Sequence, residues 1–170
     1  MALVFIGLGT NLGDKTKNLN EAIRLIGFEA GAIMNVSSFY PSKPWGFESE
    51  NNFLNAAILI STKLNPIDLL EKTQQIEKKM GRAGKTTSVY SDRIIDIDIL
   101  LYDNRIIKHP VLEIPHPMLH KRDFVLVPLA EIAPELIHPV LNETLINLKD
   151  RLVPIDIEAL TDRKDTNKSR

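Results

Sequence analysis

The residues of this chain best suited to chemistry lie in Arg93-Ile-Ile-Asp96-Ile-Asp98-Ile-Leu-Leu-Tyr102. Read at period two, Ile95, Ile97, Ile99 and Leu101 face one side of a strand, and Asp96 and Asp98 face the other. Carboxylates two residues apart stand roughly 6.6 Å apart along a strand, a spacing that suits a pair of divalent cations. Asp is a poor strand former, so an acidic pair inside an Ile- and Leu-rich strand opposes local propensity, as functional sites often do. A bare D-x-D can equally be the solvent face of a half-buried strand. Arg93 just upstream and the cationic residues downstream tip the balance, because an acidic pair beside an arginine suits a magnesium-bound polyphosphate.

Other candidate motifs fail on spacing. Gly84-Lys85-Thr86 resembles the end of a phosphate-binding P-loop, but Lys79 stands where its first glycine belongs, and a helix precedes it where a strand is required. A Gly-, Lys-, Thr- and Ser-containing loop over 82–91 remains, carrying Arg82 and Lys85. Gly7, Gly9 and Gly13 are spaced G-x-G-x-x-x-G, one residue too long for a dinucleotide fingerprint, and read as turn chemistry. His116, His120, Lys121 and Arg122 form a basic cluster. His116 and His120 invite a zinc reading, but Pro117 intervenes and no third nitrogen or thiolate ligand is near.

The elements that must position these residues follow from local pattern. Residues 2–9 read as a buried strand, and Asp14 or a neighbour as the cap of a helix whose stripe Leu19, Ala22, Ile23 and Ile26 ends at Gly27. A second strand is expected over 33–40. A proline- and glycine-punctuated loop over 41–52 follows, in which Trp45 and Phe47 are set as in a binding loop. Residues 53–61 make a third strand. Asn65-Pro66 opens a second helix with Ile67, Leu70, Thr73, Ile76 and Met80 on one side, Gln74 and Glu77 on a neighbouring face, and Gly81 at its end. Pro110 demotes 106–112 to an edge strand or loop. The order βαββαβ suits an α+β, ferredoxin-like sandwich: a mainly antiparallel sheet with helices packed on it. Residues 1–152 read as a single catalytic domain, and 153–170 as a polar C-terminal tail.

Composition sets bounds. A chain of 170 residues, 44% hydrophobic and 25% charged, is long enough for one well-buried core. A net charge of −1 provides no global attraction to nucleic acid or anionic membrane, so any anion site must be a local cluster. The absence of cysteine excludes disulfides and thiolate chemistry. The first residues have no basic region, and their apolar run is too short for a signal peptide or membrane span, so a cytoplasmic protein is expected.

In this order, several segments carry a family resemblance. They are Gly7-Leu-Gly-Thr-Asn-Leu-Gly, Val36-Ser-Ser-Phe-Tyr, Phe53-Leu-Asn-Ala-Ala, Gln74-Gln-Ile-Glu77 with Gly81-Arg82, the Arg93 to Leu100 strand, and Ile114-Pro-His-Pro with Arg122-Asp-Phe-Val-Leu. The chain resembles the 6-hydroxymethyl-7,8-dihydropterin pyrophosphokinases of folate biosynthesis over residues 2–148. The resemblance implies transfer of an intact pyrophosphoryl group from ATP to the hydroxymethyl oxygen of the pterin, releasing AMP. It further implies that Asp96 and Asp98 hold two Mg²⁺ ions. Arg82 and Arg93 act with them in catalysis, and Gln74, Glu77, Lys85, Tyr90, His116 and Arg122 stand around the nucleotide. Phe53 and Phe124 wall a pterin pocket, Asn55 reads the pterin edge, and Ser42 and Trp45 line it. The expected partners are these small molecules, with no nucleic acid and no membrane, and the expected state is a monomer.

The chain departs from the family pattern before the aspartate strand. Tyr90-Ser-Asp-Arg93 stands where Trp-Gly-Pro-Arg is usual, the segment from Gly81 is one residue longer, and Gly84 replaces an arginine common there. Asp92 adds negative charge beside a phosphate site. Two rival readings share parts of the pattern: a ferredoxin-like RNA-binding module with bases stacking on Phe53, and a metal-binding homologue without catalysis. The first lacks the RNP signature, and its phosphates would meet Asp96 and Asp98 unshielded.

Overall fold

The structure, a computed structural model, describes residues 1–82 and 90–152. Lys85, Gly84 and the segment 153–170 lie outside the described residues. An apolar β1 (Ala2–Thr10) runs through the middle of an antiparallel sheet ordered β2 (Ala32–Val36), β4 (Phe53–Thr62), β1, β5 (Asp96–Tyr102). A short β3 (Tyr40–Ser42) also pairs with β4. Leaving β3 aside, the chain order with α1 (Lys15–Glu29) and α2 (Pro66–Lys79) is the βαββαβ arrangement of a ferredoxin-like sandwich, as expected.

Local chemistry sets the helix starts. Asp14 accepts a hydrogen bond from Lys17 N at 3.0 Å and caps α1. Asn65 accepts from Ile67 N and Asp68 N, each at 3.0 Å, and Pro66 supplies a first turn that needs no N–H. Leu19, Ala22 and Ile26 of α1, with Leu69 and Ile76 of α2, pack on Val4, Ile6, Leu8, Ile58, Ile97 and Ile99 on one face of the sheet. On the other face Phe5, Ala57, Leu100 and Leu101 pack against α3 (Asp123–Ile132) and α4 (Leu145–Leu152). The strands carrying Gly7, Gly9, Asn55, Asp96 and Asp98 continue past that cluster to line an open cleft.

Several local expectations are corrected. Gly27 lies inside α1, not at its end; a Cβ there would stand 3.1 Å from Ile33 Cγ1, so glycine lets β2 approach the helix. The strand expected over 33–40 breaks after Val36. Ser37 Oγ accepts from Ala57 N at 2.9 Å, so a side chain replaces a ladder bond before pairing restarts at Tyr40. Pairing between β1 and β5 shifts between Phe5 and Ile6, and this bulge turns Leu101 away from the isoleucine face into the α3/α4 cluster. Gly7 and Gly9 lie within β1, and of the three N-terminal glycines only Gly13, with φ of 67°, has the turn geometry expected of them. Residues 106–112 belong to a hairpin of β6 (Ile107–His109) and β7 (Leu112–Ile114), with Pro110 in its turn.

Candidate active site

Register places the acidic pair. Asp98 stands opposite Gly7, which stands opposite Ala57; Asp96 stands opposite Gly9, which stands opposite Asn55. Across three neighbouring strands the middle position therefore has no side chain. A Cβ at Gly9 would lie 3.3 Å from Asn55 Oδ1 and 3.7 Å from Phe53 Cδ1, and one at Gly7 would lie 3.3 Å from Leu100 Cδ1. Glycine on this face keeps the floor of the cleft open between the carboxylates and the amide. The cleft encloses about 640 Å³, including its open mouth. Ser42, Trp45, Phe53, Asn55, Tyr90, Arg93, Asp96, Asp98, Arg122 and Phe124 all line it, as do Lys43 and Phe47.

The two halves of the cleft differ in chemistry. One half is aromatic. Trp45 packs edge-on to Tyr90 at 5.8 Å between centroids and lies 6.5 Å from Phe124, while Phe47 meets Phe53 edge-on at 6.1 Å. Guanidinium groups cover these rings: Arg93 lies 5.3 Å from the centre of Phe53, and Arg122 lies 4.5 Å from that of Trp45. Asn55 Nδ2 donates to Tyr40 O at 3.1 Å and to Ser42 Oγ at 2.8 Å. Both amide protons are thereby engaged, and Oδ1 is the atom Asn55 offers to the cleft, so this residue reads a donor on its ligand.

The other half is ionic. Arg82 Nη1 donates to Asp96 Oδ1 at 2.6 Å, to Glu77 Oε1 at 2.7 Å and to Ile95 O at 3.3 Å. Arg93 Nη1 stands 3.7 Å from Asp96 Oδ2. Glu77 is 3% exposed and also accepts from Ile97 N at 2.8 Å, so α2 supplies a carboxylate that closes the outer edge of β5. Burial lowers the Arg82 pKa, but the charges of Asp96 and Glu77 outweigh it and hold the guanidinium above its ordinary value. Buried Nε atoms of Arg93 and Arg122 find no hydrogen-bond partner among the described residues. Arg122 Nη2 does donate to Tyr90 OH at 2.9 Å. Two guanidinium side chains lining one cleft give it positive charge that suits an anionic ligand.

Not every expected residue lines the cleft. Gln74 is half-buried on α2; Glu77 and Arg82 do not line the cleft, and Arg82 joins Glu77 to the cleft residue Asp96. His116 Nδ1 accepts from Met118 N at 3.2 Å, and its main-chain N–H donates to Leu100 O at 2.9 Å. Lys85 lies outside the described residues. The basic cluster disperses: Arg122 enters the cleft, Lys121 is exposed, and His120 turns to His138, with rings edge-on at 6.0 Å. No cluster of three or more potential metal-binding side chains occurs among the described residues. Residue-by-residue reading missed Gly7, Gly9, Lys43 and Leu100 as parts of the cleft. Aligning the period-two glycines of β1 with the period-two aspartates of β5 is the signal that finds the first pair.

Comparison with known proteins shows the family of this chain. Residues 5–134 match the family model described as 7,8-dihydro-6-hydroxymethylpterin-pyrophosphokinase (HPPK). A 2-amino-4-hydroxy-6-hydroxymethyldihydropteridine pyrophosphokinase of Porphyromonas gingivalis is 45% identical over 141 residues, 82% of this chain and 95% of its own. The protein of the same name from Aquifex aeolicus is 44% identical over 149 residues, 88% of this chain and 91% of its own. The solved structure of an HPPK-DHPS in complex with substrates matches with a TM-score of 0.75 at 16% identity, over 90% of this chain. This chain spans 43% of that protein, and the likeness bears on the fold alone. A domain-length match to the family model, and relatives of this identity along nearly their whole length, lead to one conclusion: this chain belongs to the 7,8-dihydro-6-hydroxymethylpterin-pyrophosphokinase family.

Proposed function

We propose that the cleft on the carboxylate face of the sheet is where this chain carries out the reaction of its family. That reaction transfers pyrophosphate from ATP to 6-hydroxymethyl-7,8-dihydropterin in folate biosynthesis and releases AMP. The hydroxymethyl oxygen forms a bond to the β-phosphorus, the bond from that phosphorus to the α,β-bridging oxygen breaks, and AMP leaves with the oxygen. The hydroxyl proton is released to solvent. The observation that carries this reading is the meeting, in one cleft, of Asp96 and Asp98 with Arg93, Arg122 and a wall of aromatic rings.

The donor set fits magnesium. Asp96 and Asp98 offer hard oxygen ligands from one strand face, the Asp96 side chain is 23% exposed, and both residues line the cleft. These two residues would hold a pair of ions, which when bound neutralise phosphate charge and favour in-line displacement. Arg93 and Arg122 direct donors at the phosphates, with Arg82, Lys85, Tyr90 and His116 around the nucleotide and Gln74 and Glu77 behind them. Phe53 and Phe124 sandwich the flat pterin, Asn55 Oδ1 accepts from its edge, and Ser42 and Trp45 complete that wall. Residues 1–152 act as one catalytic domain and 153–170 as a polar tail, in a cytoplasmic monomer that needs neither nucleic acid nor membrane. No helix among the described residues is long and apolar enough to cross a membrane.

The test is AMP formation from ATP, Mg²⁺ and the pterin. Asp96→Ala and Asp98→Ala each abolish it while the thermal transition stays cooperative. Near-normal AMP release from either variant at physiological Mg²⁺ would refute the assignment.

A further inference from the structure

Asp92 is an anion next to Arg93, yet it is not among the residues that line the cleft, and both of its carboxylate oxygens accept from amides. Oδ1 accepts from Asn11 Nδ2 at 2.7 Å and Oδ2 from Asn51 Nδ2 at 2.9 Å. Asn11 completes the clasp: its Nδ2 also donates to Asn51 O at 3.2 Å, and its Oδ1 accepts from Arg93 N at 2.7 Å. Asn11 N donates in turn to Arg93 O at 3.1 Å. Three segments distant in sequence therefore meet at one carboxylate: the turn after β1, the loop between β3 and β4, and the approach to β5. Each of them contributes to the cleft, with Gly9 on its floor, Trp45 and Phe47 on one wall, and Arg93 over the ring of Phe53. Hydrogen bonds from Ser49, Asn51 and Asn11 hold the Asp92 carboxyl below its usual pKa, so it stays an acceptor throughout the neutral range.

We propose that Asp92 is a positioning residue that latches the loop 43–52 to Asn11 and the Arg93 main chain, and so sets the pterin-side wall of the cleft. Trp45 and Phe47 lie on a loop with no helix or strand of its own, and its far end is held at residue 51 by the Asn51 amide on Asp92 and by the Asn11 amide on Asn51 O. Lys15 Nζ, which donates to Asn52 O at 3.0 Å, reinforces the same end. Charge on the acceptor makes these bonds stronger than amide–amide contacts, and the carboxylate directs its lone pairs onto amide protons instead of towards phosphate. The tyrosine–serine–aspartate segment that departs from the usual family pattern thus replaces backbone stiffness before Arg93 with a side-chain clasp. The consequence for the pterin rests on the pyrophosphokinase reading; the latch itself does not.

The experiment compares wild type, Asp92→Ala, Asp92→Asn and Asn51→Ala in the full chain. Trp45 is the sole tryptophan, so its fluorescence and acrylamide quenching report on this loop without ligand. In Asp92→Ala, amide exchange across 43–52 should speed up about tenfold, with β4 and α1 unchanged, and Trp45 should become more quenchable. Asp92→Asn should behave alike, because one acceptor becomes a donor facing another donor, and Asn51→Ala should give a smaller change of the same kind. By calorimetry the Kd for 6-hydroxymethyl-7,8-dihydropterin should rise about tenfold while that for a magnesium-bound non-hydrolysable ATP analogue changes less than twofold. Unchanged loop exchange and Trp45 quenching in Asp92→Ala would overturn the latch. A loosened loop with unchanged pterin affinity would overturn its positioning role. Failure of the wild type to form AMP would instead refute the site reading and leave the exchange result standing.

Discussion

Replacing Glu77 with Ala removes the group on which both β5 and Arg82 lean. The Glu77 and Arg82 side chains are 4% and 13% exposed, so little water reaches the pair. The substitution leaves Ile97 N without its acceptor at 2.8 Å, and Arg82 keeps only Asp96 and Ile95 O of its partners described here. Breaking a buried ion pair from one side costs about 3–5 kcal/mol, and an orphaned N–H accounts for about 1–3 kcal/mol within that range. Against a typical stability of about 5–15 kcal/mol the loss is large, and at about 2–4 °C per kcal/mol it lowers Tm by roughly 6–20 °C. Glu77→Gln retains an acceptor oxygen for Ile97 N and a neutral hydrogen bond to Arg82, so it should cost only about 1–2 kcal/mol. The two variants separate packing from charge. Urea unfolding measures both costs, and Mg²⁺ titration without nucleotide measures a second consequence: with Glu77 gone, Arg82 rests on Asp96 more fully and competes with the cation, so affinity falls in both variants. If Glu77→Ala unfolds within about 1 kcal/mol of wild type, smaller than the net value of one charged hydrogen bond, the edge-closing role is wrong.

Two further outcomes follow from the cleft and from α3's flank. Phe124→Ala should weaken pterin binding by about 1–3 kcal/mol, the worth of stacking on one ring, and leave ATP binding nearly unchanged; equal losses by calorimetry would show that the ring is no pterin wall. His138 should make the fold acid-sensitive. Its Nδ1 accepts from Val140 N at 3.2 Å and Leu141 N at 3.1 Å, and burial first, then the neighbouring His120, depress its pKa. With the folded pKa below the unfolded one, the unfolded chain takes up the proton first as pH falls. The His138 contribution is therefore complete above about pH 6.5 and is lost as pH drops towards and through the folded pKa. His138→Gln, which keeps an acceptor without titrating, should show a shallower fall in unfolding free energy between about pH 7.5 and 5.5; identical slopes would remove His138 as the cause.

Where local chemistry determines an element, the sequence was enough. Asp14 and Asn65-Pro66 start their helices where their side chains can take orphan N–H groups, and alternation in β5 separates Asp96 and Asp98 from Ile97 and Ile99. Tertiary register is where local reading stops. Leu101 leaves the isoleucine face because β1 and β5 slip by one residue between Phe5 and Ile6, which neither strand shows alone. Gly27 looks like a helix end until Ile33 of a later strand is found against it. The sequence puts Glu77 on a face beside the apolar stripe of its helix; the placement of α2 along the edge of β5 makes it buried.

The cleft obeys the same division. Asp96 and Asp98 in a strand, and Trp45 and Phe47 on a loop, are legible because each is a residue type out of keeping with its element, whereas Phe53 and Phe124 are legible only through the family resemblance. The groups that hold those residues in place are ordinary ones. Asn11, Asn51 and Asp92 are common loop residues, and Gly7 and Gly9 are unremarkable in a glycine-bearing strand; their roles come from what faces them across the sheet or across a loop. Asp92 shows why this matters for reading departures from a family. Taken by itself, a new carboxylate beside a phosphate site opposes binding. With Asn11 and Asn51 placed against its two oxygens, the same charge strengthens bonds that join three walls of the cleft, and the departure becomes a different solution to fixing Arg93.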